Sequence, residues 1–209
     1  MSRPNTFLRC ALAVVLLAHA AGGIAGDATP RWRDKDPAAQ AYQPPPFQRH
    51  EYSDALEDRA QRHPDDVALR LQRAYDRLNR RDVQGAQADL DWAAKTVTPN
   101  SLGERRLWWT LGWVHFDLGD PQRALEAWQQ AVLLHGGQPY WAPYTFAIAQ
   151  WQLGQRDEAV ASYQRAVDGY PKMWRREGAM QHRTRHWKPT QREAISAVFD
   201  AWKQQASER

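Results

Sequence analysis

The chain has 209 residues, 43% of them hydrophobic and 25% charged, the make-up of a globular protein with one ordinary domain and flanking segments rather than two large domains. Lys and Arg number 28 against 24 Asp and Glu, a formal charge of +4 that is too small to argue for nucleic acid as a partner. Eleven Trp are the compositional outlier; such rings go where a large rigid apolar surface must be covered, in cores, interfaces and grooves.

Residues 1–25 read as a Sec-type export signal. Arg3 and Arg9 make a positive start, Cys10 to Ala20 is an uncharged apolar run, and Ala20, Ala21, Gly22, Gly23 and Ala25 supply small residues for cleavage after Ala20 or Ala25. The run is shorter than the roughly 20 residues a spanning helix needs, so no stable membrane span is expected after cleavage. The expected location is the periplasm or the medium of a bacterium. Cys10 is the only cysteine and leaves with the signal, so the mature chain has no disulfide, thiolate metal site or Cys nucleophile. Loss of Arg3 and Arg9 leaves 26 basic against 24 acidic side chains, about +2.

Residues 26–50 read as a linker, rich in Pro, Ala and charge, with Pro44-Pro45-Pro46 too stiff for any helix. From about Glu51 to Pro171 the pattern is helical and repetitive. Leu111-Gly112, Leu118-Gly119-Asp120, Ala124, Trp128 and Ala131 mark one unit, and Phe146-Ala147, Leu153-Gly154-Gln155, Ala159, Tyr163 and Ala166 mark the next at an offset of 35 residues, a solenoid period. On these residues, and on Trp108-x2-Leu111-Gly112-x2-His115 with His115 in the usual Tyr place, the chain resembles the tetratricopeptide repeat family, whose unit is a helix-turn-helix. A weaker unit precedes: Leu71, Tyr75 and Leu78, then Ala86, Leu90 and Ala93, closing at Pro99. It fits if the turn at Asn79 to Arg81 holds two extra residues.

The fold class expected is all-α: a short right-handed solenoid of such repeats with terminal capping helices. Asp120-Pro121 places a capping carboxylate and then a proline at a helix start. Ala124, Ala131, Ala159 and Ala166 are small where the helices of a hairpin cross closely, and Trp128 and Tyr163 fill the wider space one turn away. Tyr52 to His63 is expected to cover the first repeat. Residues 172–209 are expected as a basic segment, partly helical at best to Lys188, followed by a capping helix opened by a Thr190–Glu193 capping box, with Ile195, Val198, Phe199 and Trp202 on one face.

Catalysis finds no recognisable constellation, and the expectation is a protein that is not an enzyme and needs no cofactor: the chain has no G-x-S-x-G elbow, no phosphate-cradling glycine loop and no H-E-x-x-H. His182 and His186 stand at i and i+4, but Arg183 holds the place where a zinc motif needs Glu, and Arg176, Arg185 and Lys188 crowd the neighbourhood. No metal site is expected.

The informative feature is a second apolar face on the first helix of each unit. Trp109, Trp113 and Phe116 fall at i, i+4 and i+7, and Trp141, Tyr144, Ile148 and Trp151 follow in the next unit. The resemblance implies that this face lines a groove for an extended peptide or partner helix. The first unit would add Leu69, Arg73, Asp76 and Arg77, with Arg106 at the start of the second, so the partner-binding set is an aromatic floor with an Arg-containing rim. The Lys and Asn clamp that some family members use for a terminal carboxylate is absent. The C-terminal segment could instead fold back onto these aromatics through Trp174 or Trp187. The alternative function is a periplasmic glycan-binding module stacking sugars on Trp109, Trp113, Trp141 and Trp151, which requires exposed and coplanar rings. The basic stretch Lys172 to Lys188 suits an anionic ligand or is a solvated face. Expected partners are thus a protein or peptide, and a second copy of the chain through an uncapped apolar end.

Overall fold

The computed structural model describes residues 31–39 and 49–208; the signal, Cys10 and the triple proline lie outside the described residues. Among the described residues there are ten helices and a single isolated β-bridge, and no helix is long and apolar enough to cross a membrane. Helix α1 (Arg49–Arg62) packs on the hairpin α2 (Val67–Asn79) and α3 (Val83–Thr96). Two further hairpins follow, α4 (Leu102–Asp117) with α5 (Pro121–His135) and α6 (Ala142–Gln152) with α7 (Arg156–Gly169). Short α8 (Pro171–Trp174) and α9 (Glu177–Thr184) lead into α10 (Pro189–Ser207), which closes the array against α6 and α7.

Side-chain caps set where the helices of the first two hairpins begin. Asp66, Asp82, Ser101 and Asp120 each accept a hydrogen bond from the backbone N–H three residues on, satisfying a donor the first turn leaves open. The expected Asp120-Pro121 start is present, with Asp120 accepting from Arg123 N at 3.1 Å. Helix α10 starts by a different contact from the one expected. The Lys188 backbone N–H donates to Gln191 Oε1 at 3.0 Å, two residues ahead of the Thr190–Glu193 pair.

The turns inside the three hairpins are alike. Each holds three residues, Arg80–Asp82, Leu118–Asp120 and Leu153–Gln155, and the middle one is left-handed: Arg81 at φ 67°, Gly119 at 78°, Gly154 at 77°. The same closing bond recurs, Asp82 N to Arg77 O, Asp120 N to His115 O and Gln155 N to Gln150 O. The first unit therefore has no extra turn residues. Arg81 carries a conformation that glycine carries in its sister units, and the correct register pairs Ala74 with Gly112 and Ala147, and Tyr75 with Trp113.

The small residues sit at the crossings as expected. Ala124, Ala131 and Ala159 are fully buried around equally buried Trp128 and Tyr163. At Gly112 a Cβ would lie 2.1 Å from Trp128 Nε1, so this position of α4 has no room for any side chain.

Between the first two hairpins lies a cleft of about 230 Å³ lined by Leu78, Leu90, Leu111, Val114 and His115 among others. Burial in it lowers the His115 pKa, an effect that Arg123 reinforces and Asp120 opposes. The unfolded chain takes up this proton near the ordinary value of about 6.5, whereas the folded chain resists it. Stability contributed by neutral His115 is thus complete above that pH and is lost as pH falls toward the lower folded value. A series of urea melts from pH 7.5 to 5 is expected to show this decline in wild type and a shallower one in His115→Gln; parallel declines would exclude His115 as the source.

Candidate partner-binding site

The aromatic residues expected to floor a groove come together, but they are covered. Trp109 meets Trp113 edge-on, with centroids 5.6 Å apart at 89°, and Trp141 at 4.7 Å and 55°. Trp109, Phe116, Trp141 and Tyr144 are all buried, Trp141 completely, while Trp113 and Trp151 are half-buried. Arg156 lies 3.6 Å above the Trp151 ring. Rings so inclined and so covered offer no coplanar platform for sugar stacking.

The cover comes from both ends of the chain. On the C-terminal side Trp174 is buried against Tyr144, 4.9 Å away, and Tyr163 accepts its place by donating its hydroxyl to Trp174 O at 2.8 Å. Trp187 wedges between Trp113 and Tyr144 at 5.3 and 5.6 Å. Beside it Lys188 Nζ reaches Asp117 Oδ2 at 2.5 Å and lies 5.0 Å above the Tyr75 ring. Gln191 donates to Asp117 Oδ1 at 2.6 Å, and the Tyr75 hydroxyl to Asp117 Oδ2 at 2.8 Å. The α9–α10 junction thus crosses the first helices of all three hairpins, α2 by Tyr75, α4 by Trp113 and Asp117, and α6 by Tyr144. Burial pushes the Tyr144 and Tyr163 phenols well above their ordinary value, which keeps them neutral hydrogen-bonding groups.

On the N-terminal side residues 31–39, which read as linker in sequence, pack on the repeats. Asp34 forms a parallel bridge with Pro139. Buried Asp36 accepts from Trp141 Nε1 at 3.0 Å and from Arg105 Nη2 at 2.8 Å. Arg33 Nε donates to Gly169 O, and the Tyr170 hydroxyl donates back to Arg33 O.

The expected Arg rim is placed elsewhere. Arg73 is buried, with Nη2 at 2.6 Å from Asp89 Oδ1 and Nη1 at 2.9 Å from Glu57 Oε1. Arg77 bonds the same two carboxylates at 3.1 and 2.9 Å. They join α1 to α3 through α2, and the hydrogen bond to Asp89, with the charges of Asp89 and Glu57, holds the Arg73 guanidinium above its ordinary pKa against the desolvation of burial. Arg106 donates to Pro37 O at 3.1 Å. The cause is the register. With the turns aligned, the first unit presents Leu71, Tyr75 and Leu78 at the positions of Trp109, Trp113 and Phe116, not Leu69, Arg73 and Asp76. Tyr75 and Lys188 are legible in sequence only as a repeat position and the end of a basic stretch, and Asp117 and Gln191 carry no signal there; Ala74, matching Gly112 as a small residue in a crossing, is the signal for the right alignment.

Among the described residues no group of three or more His, Cys, Asp or Glu could hold a metal ion. His182 and His186 are exposed, and His182 Nε2 is 3.0 Å from Arg185 Nη1.

The tetratricopeptide repeat family model matches residues 71–140 and 144–208, well over half of the chain, and the chain belongs to that family. Its repeats make it a protein-interaction scaffold in the general sense of that family. Among solved structures it is similar to one titled as the crystal structure of MamA, with 16% identity and a TM-score of 0.47 over 78% of this chain and 91% of that one. No curated protein matches the chain.

Proposed function

We propose that this chain is a non-enzymatic scaffold of the bacterial cell envelope that holds a protein or peptide partner along the aromatic side of α2, α4 and α6. The observation that carries the reading is what already lies there. Trp187 sits in an aromatic notch and Lys188 on a carboxylate under a tyrosine ring, an aromatic anchor beside a charge-assisted hydrogen bond, which is how hot spots of peptide grooves are built. The chain's own segment acts as the resident ligand, and a partner supplying a similar aromatic-cation pair competes with it. The export signal read at residues 1–25 supports the envelope location.

The test compares three forms of the chain from Asp27 onward as bait in periplasmic extract, each checked for helicity by circular dichroism. Trp187→Ala with Lys188→Ala is expected to raise recovery of the partner by about tenfold over wild type, because the competing segment is weakened while the groove keeps Asp117. Adding Trp113→Ala should return it to background. Equal recovery by all three would mean that the aromatic side is core and nothing else.

A further inference from the structure

The segment 171–187 carries Lys172, Arg175, Arg176, Arg183 and Arg185 against one carboxylate, Glu177. The whole chain has 28 basic and 24 acidic residues, so taking these five and one away leaves 23 of each sign. The entire net charge is therefore concentrated in 17 residues. All five cations are exposed, and among the described residues none has a carboxylate partner. The fold explains why they stay outside. Trp174 of α8 and Met180 and Thr184 of α9 are buried, which turns Lys172, Arg175 and Arg176 outward together with Met173, a large apolar side chain that is 41% exposed.

A second, independent observation concerns the other end of the chain. Arg33 is bonded to Gly169 and lies 6.0 Å from the Tyr170 ring, immediately before α8, and Asp34 next to it forms the isolated bridge with Pro139. The start of the described chain is pinned beside the cationic segment. Only ten residues separate Arg31 from the end of the apolar run at Ala20, at most about 35 Å when fully extended. While that run is held at a membrane during export, this face is tethered within reach of the headgroups.

We infer that the α8–α9 face is a docking surface for anionic phospholipid headgroups, with Lys172, Arg175 and Arg176 as the contacting cations and Met173 entering the interface. Unpaired surface cations strengthen such binding by about fivefold each, and an exposed Met among them adds apolar burial that a purely electrostatic partner would not use. The inference shares the envelope location with the proposed function, but its assay contains no protein partner, so either can fail without the other.

The experiment is co-sedimentation of the chain from Asp27 onward, which contains every contact described above, with vesicles of pure phosphatidylcholine or with 40 mol% phosphatidylglycerol. The expected result is a partition at least about 100-fold higher onto the anionic vesicles at low salt, falling more than about tenfold when salt is raised through the range where the Debye length drops from about 10 to 3 Å. Lys172→Glu with Arg175→Glu and Arg176→Glu should abolish the preference with an unchanged thermal melt, because the three side chains are exposed and none makes a hydrogen bond or ion pair among the described residues. The control, Arg59→Glu with Arg81→Glu and Lys95→Glu, changes the net charge equally at the other end of the array and should keep most of it. Equal partition onto both vesicles, or equal losses in the two triple variants, would overturn the inference. So would binding to poly-glutamate without preference for anionic vesicles, which would assign the face to an acidic protein.

Discussion

Replacing Asp89 by alanine is expected to lower the unfolding free energy by about 3–5 kcal/mol, the range for removing one partner of a buried ion pair. Asp89 is almost fully buried and stands within 3.2 Å of guanidinium nitrogens of Arg70, Arg73 and Arg77. Without it, three like charges on one face of α2 are left with Glu57, itself 28% exposed, and with Asp82, which is 50% exposed and 3.8 Å from Arg77. The magnitude measures an orphaned charge, not the worth of the pair. Asp89→Leu combined with Arg73→Met should therefore recover more than half of the loss. Urea denaturation of the single and double variants decides the matter: a single-variant loss under about 1 kcal/mol would mean that water reaches the cluster and screens it.

Gly112→Ala should destabilise by about 2 kcal/mol although alanine is the better helix former. A gain of about 1 kcal/mol in helix propensity is set against overpacking of about 3 kcal/mol, because the new methyl would sit 2.1–2.5 Å from three atoms of a fully buried indole. Gly178, also inside a helix, has nothing within 4 Å of its ideal Cβ, and Gly178→Ala should stabilise by about 0.5–1 kcal/mol. Thermal melts of the two variants should shift in opposite directions. A stabilised Gly112→Ala would show that α4 and α5 can part cheaply at Trp128, against the close crossing described here.

Much of this fold was legible because local and tertiary signals agree in the second and third hairpins: a glycine in the turn, a small residue at the crossing, a large ring one turn on. The first hairpin broke the agreement at one residue. Arg81 adopts the left-handed conformation of Gly119 and Gly154, and without a glycine to mark the turn, the sequence sets Arg73 rather than Tyr75 opposite Trp113. A slip of two positions on a helix rotates every side chain by about 200°, which carried Arg73 and Arg77 from the interior pairing side to the groove rim and hid Tyr75. The aromatic face was visible in the pattern, but its cover was not. Periodicity tells which residues share a face, whereas Trp187 reaching Trp113 and Asp36 reaching Trp141 depend on where chain segments 74 and 105 residues away return. The sequence offered Trp174 and Trp187 as candidates for that return; for Asp36, inside an apparent linker, it offered nothing.

The attachment of residues 33–36 has a consequence for the order in which the molecule assembles. Each hairpin closes contacts only a few tens of residues apart, so it can form as soon as its own stretch is made. Asp36 needs Arg105 and Trp141, and Arg33 needs Gly169. The segment made early thus finds its last partner only when about four fifths of the chain has been made, after a loop closure of 136 residues that local helix formation does not assist. Such a late contact has little part in the folding nucleus, and what it adds is resistance to coming apart: it slows unfolding while leaving the folding rate nearly untouched. The beginning of the described chain is, in time, the end of its assembly.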